Sequence, residues 1–470
     1  MRNTLLILFS ASCLLSCHKD PVVTDKSAKL SFSDDTIIFD TVFTTIGSTT
    51  RQLKIYNTSS RRIIISSLRL ARGGSSMFRI NVNGTPGKSF SDVEIAGKDS
   101  IFVFAEVTVD PNNITGPMIV TDSIVFETNG NLQDVDLVAW GQDAYFYTPL
   151  QGSLFGTIPC NSTWLPDKPH VVYGYIFVDS SCTLNINQGT QVYFHNNSGL
   201  FVYNGGSLRI NGVMGNEVVL RGDRLEQDYK DIPGQWGMIW LGPGSVDNKI
   251  EYAVIKNANI GIRADTVGNS NPTLILKNTI MENMSGLALW ALGANIVSEN
   301  CVFANCGQYL SALTIGGSYS FKQCTFANYW GYGNRQTPAL LMNNYYTDTS
   351  GTIQHRDLNA YFGNCILYGD IDKEIAGDFK TGAASDFVFD HCLLKTTDST
   401  TSPANYKTVI VNEDPKFKNT GDNIYELDTL SAAIDKGDVS IAAAVSGGND
   451  IKGVSRVSGS PDLGAYERKP

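Results

Sequence analysis

The chain has 470 residues, a formal net charge of −10 and only 17% charged side chains. That length accommodates a large core and two domains. A diffuse acidic balance without a basic stripe argues against nucleic acid as a partner, and disfavours polyanionic glycans unless a bound cation or a local basic patch reverses the field. In chain order, residues 1–17 show one cation (Arg2), an apolar run, then Leu14-Leu15-Ser16-Cys17, which is the layout of an export signal. No later run reaches about 18 apolar residues, so no spanning helix is predicted. Residues 17–29 read as a polar tether. From 30 to 144, seven β-prone runs (36–43, 51–57, 61–70, 77–84, 100–109, 122–130 and 134–143) alternate with turn clusters. That spacing predicts a β-sandwich. Beyond residue 145 the rhythm shortens: apolar strands of a few residues alternate with Gly/Asn turns, as in a chain winding round a solenoid.

Leu14-Leu15-Ser16-Cys17 resembles the lipobox of bacterial lipoproteins. The resemblance implies a signal peptide over 1–16, lipidation of Cys17 and an outer-membrane, envelope-located protein held to the membrane by its lipid. Residues 18–23 weakly resemble the acidic surface-export tag of Bacteroidetes lipoproteins. The order of runs in 30–144 resembles immunoglobulin-like modules of bacterial surface proteins. Thr183-Leu184, Gly189-Thr190 and Gly206-Ser207-Leu208 resemble the opening coils of right-handed parallel β-helix proteins of the pectin-lyase-like group. Asp414-Pro415, Asp435, Gly437 and Pro461 through Glu467 resemble the closing segment of secreted bacterial β-helix proteins, which implies a cap over the last coil. The predicted organisation is all-β: an immunoglobulin-like sandwich over 30–144, then a right-handed parallel β-helix with a C-terminal cap over 145–470.

Internal alignment supports the solenoid. Six segments superpose so that Ala253, Thr279, Cys301, Cys324, Cys365 and Cys392 share one small-residue slot, with Asn257, Asn283, Asn305 and Asn328 four positions on. The basic period of 22–23 residues is one coil. Coils rise by about 4.8 Å, so equivalent residues stack. Free cysteine serves such a slot as a small hydrophobe, and asparagine suits a left-handed turn. Of the nine cysteines, Cys160 and Cys182 remain at the solenoid entrance; a bridge between them would pin residues 161–181 over its open end. No Cys-x-x-Cys pair suggests zinc.

Signatures of hydrolases, zinc proteases and phosphate-binding loops are absent. Three clusters remain. Asp370, Asp372 and Glu374 have strand spacing, and three carboxylates on one face would bind calcium; the same pattern also describes a solvated strand face. A 41-residue interval carries Tyr329, Trp330, Tyr332, Arg335, Tyr345, Tyr346 and His355, a set suited to stacking on and hydrogen-bonding a sugar, or to covering the solenoid flank. Arg356 and Asp357 beside His355 would add acid/base chemistry. Finally, Asp223, Arg224, Asp228 and Asp231 form an acidic loop before Trp236 and Trp240, with Trp236 read as packing. The leading functional expectation is a non-catalytic envelope scaffold or glycan-binding protein, its partner a polysaccharide or another envelope protein. The alternatives are a polysaccharide lyase or glycoside hydrolase, on fold analogy alone, and an adhesin or envelope-complex component.

Overall fold

The computed structural model describes residues 21–44, 47–110, 118–150, 152–265, 272–456 and 459–468; the expected signal peptide and the Cys17 lipidation site lie outside the described residues. The chain divides into two compact units, one ending at Asp143 and one beginning at Ala144.

The first unit is a β-sandwich. Its strands are β1 (Ser31–Phe32), β2 (Thr36–Phe43), β3 (Arg51–Tyr56), β4 (Ile63–Leu70), β5 (Phe78–Val82), β6 (Thr85–Gly87), β7 (Ser89–Ile95), β8 (Ser100–Val107), β9 (Met118–Thr128) and β10 (Asn131–Gln142). One sheet runs β1-β3-β8-β5-β6 and the other β2-β10-β9-β4-β7. Neighbours are antiparallel except β2 and β10, which pair in parallel. Strand β8 shows how the sequence sets the two faces: Ile101, Val103, Ala105 and Val107 point inward, while Phe102, Phe104 and Glu106 face outward. The seven apolar runs are β2–β5 and β8–β10. Strands β6 and β7 gave no apolar signal because they are edge strands; in β7 only Ile95 is buried.

The second unit is a parallel β-helix. Each full coil gives one strand to each of three parallel sheets, which hold eleven, nine and ten strands. One coil illustrates the path: Val302–Cys306 in the first sheet, Ser311–Thr314 in the second and Gly317–Lys322 in the third. Inward side chains stack into one continuous core from Ile158 to Leu394. Within it, Phe321 lies parallel to Phe362 at 5.1 Å, and Phe362 follows onto Phe389 at 4.8 Å.

The small-residue slot lies just past the corner between the third and first sheets. Ala253, Thr279, Cys301, Cys324, Cys365 and Cys392 are all essentially inaccessible there. The corner itself is the residue before each, and all six take positive φ: Tyr252 46°, Asn278 48°, Asn300 52°, Gln323 53°, Asn364 52° and His391 50°. A residue with a short amide side chain tolerates that conformation best, and Asn300 Nδ2 donates to Asn278 Oδ1 of the preceding coil at 3.0 Å. The second asparagine row is mixed. Asn257, Asn283 and Asn305 are left-handed, whereas Asn328 ends a strand and accepts a hydrogen bond from the Cys306 N–H at 3.0 Å. The four slot cysteines and Cys306 are free thiols. Burial pushes the Cys301 and Cys365 thiols up, and Cys306 up to about 12, so these three act as packing atoms and not as nucleophiles.

Cys160 and Cys182 form a disulfide. The segment between them is not a lid: it contains the strands Thr163–Trp164, His170–Val172 and Tyr175–Val178, so the bridge staples one corner of the first coil to the next coil.

The C-terminal segment departs from the expected cap. Instead of closing the last coil, it runs back along the outer face of the first sheet. Tyr425, Ile451, Ala465 and Tyr466 pack on Val302, Ala304 and Ala327, while Leu427, Ala433 and Leu463 cover Ile366 and Leu393. Hydrogen bonds fix the strap: Asn300 Nδ2 to the Asn449 carbonyl (2.8 Å), the Ala465 N–H to Thr325 Oγ1 (2.9 Å), and Asn364 Nδ2 to the Asp438 carbonyl (2.9 Å).

The 41-residue interval is two insertions at two corners. Residues 329–339 join Thr325–Asn328 of the first sheet to Leu340–Asn343 of the second. The hairpin of Tyr345–Thr347 and Ile353–His355 sits at the next corner, before Leu358–Gly363 of the third sheet.

Candidate functional site

The second sheet's inward row is aliphatic: Ile176, Leu200, Ile239, Ile262 and Leu289 are at most 1% exposed. Because side chains alternate, the next residue of each strand faces outward. In consecutive coils that position holds Phe177, Phe201, Trp240, Arg263 and Trp290, each in register with the one before. The row then shrinks to Ala312. Five large planar groups at one strand spacing make a platform about 19 Å long parallel to the solenoid axis.

The rings are held, not loose. Phe201 meets Phe177 edge-on at 5.0 Å and Trp240 at 4.4 Å. The Arg263 guanidinium lies between two indoles, with Cζ 4.4 Å from the Trp240 ring centroid and 5.0 Å from that of Trp290. Asp265, 6% exposed, orients this centre. It accepts from Arg263 Nε at 2.8 Å, from Arg263 Nη2 at 3.2 Å and from Trp240 Nε1 at 2.8 Å. Beside the row, Phe155 (47% exposed), Tyr175, Tyr203 (40% exposed) and Met238 complete a shallow groove of about 400 Å³. Burial raises the Tyr175 phenol, keeping its hydroxyl protonated as a donor. Such a surface offers aromatic rings to apolar C–H groups and hydroxyls along its border.

The residues expected to bind a sugar are distributed differently. Tyr329 is partly buried, meeting Phe417 of the strap at 6.1 Å. Trp330 and Tyr332 pair at 5.3 Å, and the Tyr332 hydroxyl donates to the Asp231 carbonyl at 3.2 Å. Tyr345 donates to Asp378 Oδ2 at 2.7 Å beneath Lys380, Tyr346 lies 5.9 Å from Arg356, and His355 is exposed on its hairpin. These side chains therefore sit at two corners and form no single patch. Arg335 is corrected outright: it is 6% exposed and its guanidinium is bound to Glu374 at 2.6 and 2.9 Å, so it offers no charge to a ligand. Asp357 accepts the Ala384 N–H at 2.8 Å, and among the described residues it orients no histidine.

The calcium expectation is corrected for the same reason. Residues 370–374 are a bend, not a strand, so their spacing does not place three carboxylates on one face. Asp370 and Asp372 are exposed, while Glu374 is fully buried and takes the Ala339 and Ile371 N–H groups besides Arg335. Among the described residues no group of three or more His, Cys, Asp or Glu side chains is arranged to hold a metal ion.

The acidic loop folds over the outer face of the first sheet. Asp231 binds Lys256 at 2.6 Å, Lys256 reaches Glu282 at 3.4 Å, Arg224 pairs with Glu226, and Asp228 stays exposed. Asp223 accepts from His195 Nδ1 at 2.7 Å, and burial raises both Asp223 and Glu282. Trp236 is core: it is inaccessible and lies parallel to Phe194 at 4.1 Å. Sequence reasoning named Trp240 but missed the row it belongs to. Its signal was an aromatic or arginine at the outward position of every third strand.

No family model matches the chain, and no curated protein matches it. Among solved structures, the chain is similar to a family 123 glycoside hydrolase from Clostridium perfringens studied for glycolipid glycan hydrolysis, at 11% identity and TM-score 0.20, over 29% of this chain and 30% of that one. It is also similar to the Vibrio cholerae VesB protease, at 11% identity and TM-score 0.18, over 25% of this chain and 33% of that one. A third likeness is to a protein of unknown function from Porphyromonas gingivalis W83, at 10% identity and TM-score 0.18, over 29% of this chain and 59% of that one. The chain thus spans 30%, 33% and 59% of these three structures.

Proposed function

We propose that this is a lipid-anchored envelope protein of Bacteroidetes type that binds an extended polysaccharide without turning it over. The outward row from Phe177 to Trp290 carries this reading, because it is long, in register from coil to coil and built of planar, mostly aromatic groups. Binding is assigned to this row, replacing the insertion residues favoured by the sequence. The sandwich serves as an immunoglobulin-like spacer, tethered to the outer membrane through Cys17. A glycan array on the mature protein, with and without chelator, tests the reading. Expected is chelator-insensitive binding that is lost in Trp240→Ala and yields no product; absence of binding to every glycan, or release of unsaturated or reducing ends, overturns it.

A second reading, adhesin or envelope-complex component, draws on an uncovered patch of the sandwich. Phe102 and Phe104 are 36% and 37% exposed and stack at 6.2 Å, with Lys54 over Phe102 at 5.4 Å. Retention of an envelope partner that is lost in Phe102→Ser/Phe104→Ser, but not in Trp240→Ala, would favour it.

A further inference from the structure

We infer that the ligand of the second-sheet platform is a neutral polysaccharide stretch lying parallel to the solenoid axis, and not a uronate- or sulfate-bearing one. This inference rests on the glycan-binding reading of the same face.

Charge decides the class. Arg263 is the one cation in the planar row, and neither its faces nor its charge is free. Both faces lie against indoles, and its Nε and Nη2 edges are spent on the Asp265 carboxylate. A bidentate pair of this kind is geometrically specific. Turning the Nε/Nη2 edge toward a ligand would break both the pair and the stacking, and the Nη1 group that remains carries a charge already offset by the Asp265 carboxylate. An acidic sugar over the row would meet a neutralised guanidinium with a carboxylate beside it. The groove adds rings, a thioether and tyrosine hydroxyls, with no cation. A neutral sugar needs no counter-charge on that surface: its C–H groups pack on the groove's rings and thioether, and its hydroxyls meet Tyr203 and Tyr175.

Shape decides the direction. Along the axis, five coils present a large planar group at the same outward position. Across the axis, each second-sheet strand here is only three to six residues long, and every other side chain points into the core. An extended ligand covers most rings by running with the coils.

The test measures binding of the mature chain to neutral polymers (β-glucan, xylan, mannan) and to polygalacturonate, alginate and dextran sulfate. Low and high salt are compared for wild type, Trp240→Ala, Trp290→Ala and Asp265→Asn, with circular dichroism and melting curves confirming the fold of each variant. Expected is salt-independent binding of at least one neutral polymer, weakened at least about ten-fold by each tryptophan substitution. Asp265→Asn releases the Arg263 charge, and this variant gains salt-sensitive binding of an acidic polymer that wild type lacks. Should wild type bind an acidic polymer in a salt-sensitive, Trp240-dependent way, the neutral assignment fails while the glycan reading stands. If no polymer of either charge binds in a Trp240-dependent way, the glycan reading itself fails. Trp240-dependent self-association would then assign the face to a second copy of the chain.

Discussion

At the scale of single residues, the most informative pair is Arg335 and Glu374. Each suggested a ligand role in the sequence, one as a sugar-facing cation and one as a calcium carboxylate; in the fold each is the other's partner. Glu374 collects four donors, two from Arg335 and the N–H groups of Ala339 and Ile371, so it ties the first insertion to the neighbouring coil. Removing one member leaves an uncompensated buried charge. Glu374→Ala is therefore expected to cost about 3–5 kcal/mol of solenoid stability in urea unfolding, and Arg335→Met/Glu374→Leu to recover most of it. A single variant within experimental error of wild type would show that the pair is solvated. Glu467 gives the second prediction. Burial, with help from the Asp462 and Asp450 charges, pushes its carboxyl from 4.5 up to about 7. The folded chain then keeps a proton that the unfolded chain has lost, so this contribution is present in full below 4.5 and is lost as pH rises to about 7. Melting temperatures measured from about pH 5 to about pH 8 should fall more steeply for wild type than for Glu467→Gln. Parallel profiles would refute the assignment.

At the scale of elements, the corner between the third and first sheets governs each coil. His391 stands where three other coils have asparagine, and its φ of 50° explains why. Its ring also faces Asp390 Oδ1 at 2.8 Å, a contact within one corner that requires no catalytic role. A β-branched side chain is strained in that conformation. His391→Val is expected to lower stability by about 1–2 kcal/mol, whereas His391→Asn should be nearly neutral. Equal stabilities of the two variants by denaturant titration would remove the backbone explanation. The same corner shows what was legible in the sequence. Ala253, Thr279, Cys301, Cys324, Cys365 and Cys392 repeat at one position because the slot is narrow, and a narrow slot leaves a compositional trace. The platform leaves almost none. Its members are 24, 39, 23 and 27 residues apart, and Phe, Trp and Arg share planarity without sharing a chemical class. The insertions misled for a related reason. Spacing measured on the first sheet alone gives 41 residues between Cys324 and Cys365, and it cannot reveal that the added chain is divided between two corners.

At the scale of the whole solenoid, two long faces carry exposed-type apolar rows and are treated oppositely. The first sheet presents Val302, Ala304, Ala327, Ile366 and Leu393 outward, and the chain returns along that face until each is inaccessible. Bare, that stripe would be an aggregation-prone patch. On the second sheet, the Phe177, Phe201 and Trp240 part of the row lines a solvent-facing groove, with Phe155 47% and Tyr203 40% exposed beside it. A chain that spends its C-terminal residues sealing one face, while large rings on another stay accessible, has the material to cover apolar surface. The open rings are therefore a property of that face and not a defect of packing. The consequence is measurable. A chain ending at Asn412 keeps strands from every coil but loses the strap, so it is expected to bind a hydrophobic dye strongly and to aggregate on size-exclusion chromatography. Lysine placed at Val302, Ile366 and Leu393 of the shortened chain should restore a monodisperse peak, because the liability is that stripe alone. If the shortened chain is already monodisperse and dye-silent, the strap is dispensable and the contrast between the two faces loses its meaning. If the lysines fail to rescue it while the full-length chain stays soluble, the strap is needed to fold the coils, beyond covering them.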